Sequence, residues 1–162
     1  MAVDPYEEDK PKIVFHAAMM AIQNFGFMTY YNDIWDDTPD AKVCEDTRFA
    51  VAFMSMTCFM VSFLCIGMAF GGYIGSNGTF ALYWLLHLVG GACYTACTFM
   101  IPMARWSDDG KLCAAINPVN GERTKAIWYM HVSMYMVYVG GMLSITYFSF
   151  LKPTYFAKRI GI

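Results

Sequence analysis

Residues 49–104 read FAVAFMSMTCFMVSFLCIGMAFGGYIGSNGTFALYWLLHLVGGACYTACTFMIPMA, 56 positions without one Asp, Glu, Lys or Arg. A bilayer core about 30 Å thick is crossed by roughly 20 helical residues, so this stretch holds enough chain for two crossings. The cluster Gly75-Ser76-Asn77-Gly78-Thr79 interrupts it with turn chemistry. The stretch therefore divides into two spans, 49–74 and 80–103. A transmembrane barrel needs short alternating segments, and these runs are too long and unbroken for that.

The same character recurs on either side. Residues 13–31, IVFHAAMMAIQNFGFMTYY, carry no charge, and neither do residues 126–151. The first of these is the least apolar, because it includes His16, Gln23 and Asn24. Of the 162 residues, 57% are hydrophobic and 15% charged, against about 25% charged in an ordinary soluble domain. Water is thus not the solvent of most of this chain. The expected fold is all-α: an integral membrane four-helix transmembrane bundle, one membrane domain, with both termini on the same side. Pro5, Pro11, Pro39, Pro118 and Pro153 lie outside the spans, and Pro102 sits at the end of the third, as expected of a residue that breaks helix interiors. Trp35, Trp84, Trp106 and Trp128 fall near span ends, where an amphipathic ring suits the headgroup zone.

Residues 1–12, MAVDPYEEDKPK, hold four acids, two lysines and two prolines. A secretory signal has a basic start before an apolar core, and a mitochondrial presequence is Arg-rich and poor in acids. This opening is neither, so the first apolar run is expected to be retained, with no cleavable signal or presequence. Four spans place the termini and the Gly75–Thr79 cluster on one face, side A. The loops 32–48 and 105–125 lie on side B. Lys and Arg divide five to side A and six to side B, which sets no orientation under the basic-residue rule. The net charge of -2 and the lack of a basic stripe exclude nucleic acid as a partner.

Small residues at helical spacing form the clearest motif: Gly67, Gly71 and Gly75 in the second span, Gly90-Gly91 in the third, and Gly140-Gly141 in the fourth. In lipid, helices gain little by hiding apolar side chains from each other. Small residues let backbones approach closely enough for dispersion and weak hydrogen bonds to hold them. Packing within the bundle is the plain use, and docking to other subunits is the second. Three such faces exceed the needs of a lone hairpin.

His16 and His87 lie three and about seven residues in from side A, on different spans. Their depths differ by roughly 6 Å, which helix tilt absorbs, so a bis-His haem b site is geometrically allowed. The competing reading, that each hydrogen-bonds a neighbour near an interface, is the stronger. His131 lies near side B with no partner at its depth. Cys93 and Cys97 form C-x3-C rather than the redox C-x-x-C and read as packing. Cys44 and Cys113 both fall in side B loops and pair if that side faces an oxidising space. The pattern Asn77-Gly78-Thr79 matches a glycosylation acceptor, but lies too close to the membrane for easy access. The fourteen Met are scattered gap fillers rather than a soft-metal site. Asp33, Asp36, Asp37, Asp40, Glu45 and Asp46 make an acidic loop without the EF-hand spacing.

No span centre holds an ionisable acid or base, whereas pumps and carriers mark their pathways with them. The expected function is therefore a non-catalytic accessory subunit of a larger membrane complex. Its expected partners are other transmembrane subunits and bound structural lipids, and it needs no cofactor. The expected setting is an organellar energy-transducing assembly of the respiratory type, in the mitochondrial inner membrane. Two rival readings are a haem b membrane anchor using His16 and His87, and a stand-alone tetraspan that organises membranes of the secretory system.

Overall fold

The structure is a computed structural model describing residues 5–74 and 77–151, with side chains described over 14–15, 17–67, 69–70 and 89–136. Among the described residues every regular element is helical. These are α1 (Pro5–Asp37), a 3-10 turn (Lys42–Cys44), α2 (Glu45–Ile74), α3 (Asn77–Arg105), α4 (Asp108–Ile116) and α5 (Pro118–Leu151). The all-α expectation holds. Among the described residues one helical segment, Lys42–Gly67, is long and apolar enough to cross a membrane.

The helices outrun the uncharged stretches, and polar caps set the starts of α4 and α5. Ser107 accepts a hydrogen bond from the Gly110 N–H at 3.0 Å and starts α4. Asn117 accepts one from the Asn120 N–H at 3.2 Å, directly before Pro118 at the first position of α5. Proline suits that position, since its missing N–H has no helical partner to lose. Residues 105–125 are accordingly mostly helix rather than loop. Asn77, Gly78 and Thr79 likewise belong to the first turn of α3.

Side-chain pairs fix the directions of the four long helices. Ser55 donates to the Met28 carbonyl at 3.1 Å and Ser62 to that of Ala21 at 2.9 Å, so α1 and α2 run antiparallel. Cys97 donates to Thr57, and Gly90 faces Val61 and Leu64, which makes α2 and α3 antiparallel. Trp128 donates through Nε1 to the Thr98 carbonyl at 2.9 Å, while Tyr135 meets Thr95 at 2.7 Å, and α3 and α5 follow the same rule. Among the described residues α1 and α3 each pack on both α2 and α5, while the pairs α1 with α3 and α2 with α5 do not. The cross-section is a square with these two pairs on its diagonals.

The layering of α2 is the reverse of a water-soluble helix. Its buried positions include Ala50, Val51, Ser55, Thr57, Cys58, Ser62 and Cys65, mostly small or hydroxyl-bearing residues. Its exposed positions are Phe49, Phe53, Met56, Phe59, Met60, Phe63, Ile66 and Phe70. Met54 and Val61 are also buried, but most of the large apolar side chains of α2, which in water would drive folding by burial, stand outside.

Candidate functional site

Three features of the bundle have chemistry worth building up: a polar cap at the side B end, an enclosed polar core, and a groove between α1 and α5.

The cap ties the start of α2, α4, and the facing ends of α1 and α5 together. Cys44, at the end of the 3-10 turn, is joined to Cys113 of α4 by a disulfide that closes 69 residues of sequence separation, with Cα atoms 5.0 Å apart. Asn120 donates through Nδ2 to the Ile34 carbonyl at 3.1 Å and to Thr38 Oγ1 at 3.0 Å. Thr38 in turn donates to the Ile34 carbonyl at 2.6 Å, satisfying an acceptor at the frayed end of α1. Arg123 donates to Asp37 at 2.6 Å, and Arg48 pairs with Asp40 while its guanidinium lies 5.3 Å over the Trp35 ring. Gly110 is required by close approach: a Cβ there would meet the backbone of Ala104 and Arg105, the latter at 2.8 Å. The acidic loop therefore spends Asp37 and Asp40 on ion pairs within the cap.

Below the cap, His131 of α5 is completely enclosed. The rings of Tyr94, Phe27 and Tyr31 surround it, with centroids 4.1, 4.9 and 5.8 Å away. Its Nδ1 lies 3.3 Å from the Tyr31 hydroxyl, and Nε2 has no protein partner. Three residues before Phe27 on α1, the same interior holds a second orphan: Asn24 donates to the Met20 carbonyl at 2.8 Å, but its Oδ1 is unpartnered. Asn24 borders a small void of about 20 Å³ shared with Tyr94, Tyr135 and Gly91. That volume suits one water molecule, and the site is polar enough to hold one. The core is thus a sealed polar packing centre.

The third feature lies between α1 and α5. Gln23, Gly26, Ile34, Ile127, Met134 and Arg123 border an open groove of about 350 Å³. Gln23 reaches Met134 across its deep end, and Arg123, which lines it near Ile34, holds Asp37 beside it. A Cβ added to Gly26 would meet nothing within 4 Å, so this residue leaves the wall open.

The residues singled out from sequence divide as follows. His16 in α1 and His87 in α3 have side chains outside the described residues, as do the surroundings of Gly71, Gly140 and Gly141; Gly75 lies outside them altogether. Gly67 is half-buried in α2. Gly90 is buried at the contact with α2, where a Cβ would sit 3.2 Å from Val61 Cγ2. Gly91 is half-buried, and its carbonyl accepts a bond from Thr95 at 2.7 Å. Cys93 is half-buried and Cys97 buried, both as free thiols. Among the described residues no three His, Cys, Asp or Glu side chains converge as metal ligands would. Sequence reasoning missed the enclosure of His131; the available signal was the Phe27/Tyr31 pair, four residues apart on one face of α1.

No known protein family, no curated protein and no solved structure matches this chain.

Proposed function

We propose that all four long helices cross a membrane and that the protein is a non-catalytic helix-docking subunit of a larger membrane assembly. The reversed layering carries this reading. Small and hydroxyl-bearing side chains line much of the buried face of α2 beside a core of Tyr31, Ile34, Met54 and Ile101, while Phe15, Ile22, Phe25, Phe63, Phe99 and Met103 stand more than half exposed. In lipid, association rests on close packing and interhelical hydrogen bonds. Both are present, in the Gly90 contact and in the bonds made by Ser55, Ser62 and Trp128. Apolar side chains left outside face acyl chains or the helices of other subunits. An organellar energy-transducing membrane of the respiratory type is the setting we propose. A small chain with several spans and no reactive constellation among the described residues fits an accessory place there, and the Cys44–Cys113 cap fits the oxidising side of such a membrane. Extraction in mild detergent tests it: the protein should run within a large particle with co-purifying membrane chains. A monodisperse particle holding this 18.3 kDa chain alone would defeat the proposal.

The disulfide also favours a second reading, a stand-alone tetraspan of the secretory system. There the bridged cap would face the lumen or cell exterior and both termini the cytosol. Localisation of the tagged full chain separates the two readings.

A further inference from the structure

We infer that the groove between α1 and α5 binds one acyl chain of a zwitterionic aminophospholipid, with the phosphate on Arg123 and the ammonium group on Asp37. The inference rests on the membrane reading above and specifies a lipid site within it.

Length comes first. The groove runs along α1 from Gln23 to Ile34, eleven residues, or about 16 Å of helix. Half of a bilayer's hydrocarbon core is about 15 Å. The groove therefore matches the depth of one leaflet, with its deep end near the midplane. Width comes second. Spread over that length, 350 Å³ makes a narrow trough with room for a single hydrocarbon chain along its floor.

Charge comes third and selects the headgroup. Arg123 lines the groove near Ile34 and holds Asp37 beside it, both partly open to the surroundings, at 38% and 53% side-chain exposure. Asp37 accepts from one guanidinium nitrogen, Nη1. A guanidinium has five N–H donors, so others are left for a phosphate oxygen. Asp37 keeps acceptor capacity for an ammonium, with Asp33 and Asp36 exposed on the same end of α1. A phosphate and an amine side by side answer this pair; an anionic headgroup without the amine would meet the carboxylates unpaired. Gly26 leaves space where any larger residue would project into the chain's path.

The test uses the full chain purified in mild detergent, offered equimolar phosphatidylethanolamine and phosphatidylglycerol, and weighed by native mass spectrometry. The wild type should retain one phosphatidylethanolamine, with at least a fivefold preference over phosphatidylglycerol. Gly26→Leu, whose side chain enters open space and improves helix propensity, should lower that adduct at least tenfold while leaving the thermal transition in place. Asp37→Asn should abolish the headgroup preference. The site is refuted by an adduct indifferent to Gly26→Leu, by preference for the glycerol headgroup, or by a protein helix crosslinking at position 26 in place of lipid. Carbonate washing of the source membranes keeps the two levels apart. Release of the chain into the aqueous fraction defeats the membrane reading, whereas an integral protein with no such adduct defeats the groove alone.

Discussion

The cap and the shaft of this molecule are held by different physics. In the cap, stability comes from a covalent bridge, Cys44–Cys113, and from polar groups that bind chain ends, such as Asn120 on Ile34 and Thr38. In the shaft it comes from shape: Gly90 admits Val61 and Leu64, and Ser62 reaches a carbonyl of α1 because both backbones are close. The first kind suits water, where ion pairs and hydrogen bonds are exchanged at modest net gain. The second suits lipid, where apolar burial gives helices little reason to associate. The boundary between the two falls near Tyr31 on α1 and Ile127 on α5, both buried below the Arg123–Asp37 pair.

The largest effect should follow from opening the cap. Cys44→Ser should cost about 2–4 kcal/mol, since the bridge constrains a long loop in the unfolded chain. Thermal unfolding in detergent should show the same loss when the wild type is reduced, and no further loss when the variant is. In the shaft, Gly90→Leu should cost about 1–3 kcal/mol by overpacking the α2–α3 contact, and the same assay should show it without any dependence on reductant. Tyr31→Phe tests the junction. It strips the hydroxyl beside His131 Nδ1 and should cost about 1 kcal/mol. Asp37→Asn removes a half-exposed ion pair and should cost under about 1 kcal/mol, less at high salt. Phe63→Leu, on the outer face of α2, should change the stability of the isolated chain by less than about 0.5 kcal/mol. A loss of co-purifying chains with that substitution, at unchanged stability, would mark the α2 face as a docking surface.

How much of this was legible in the residues follows the same division. The helical character of the shaft is readable because long uncharged runs such as residues 49–104 are poor loops and good helices, and among the described residues Lys42–Gly67 is long and apolar enough to cross a membrane. The cap is less so. Its helix ends depend on Ser107 and Asn117 as caps, which look like loop residues in a linear scan, so α4 is hidden within residues 105–125. Whether Cys44 and Cys113 pair depends on bringing residues 69 positions apart together, and with basic residues split five to six no orientation favoured it. His131 is harder still. Its enclosure is assembled from Phe27, Tyr31 and Tyr94 on two other helices, and no local pattern on α5 announces it. The groove has no sequence signature beyond Gly26, which reads as an isolated glycine in an apolar run.

The central claim is that four helices cross the membrane, with the disulfide-bridged cap on one side and the side A turn on the other. Single cysteines placed at Glu7, Asn77 and Asp109, in chains whose free native thiols are replaced by serine or alanine, can be labelled in sealed vesicles with a membrane-impermeant maleimide. The account predicts that positions 7 and 77 label from one side and position 109 only from the other. Labelling of all three from the same side would contradict it.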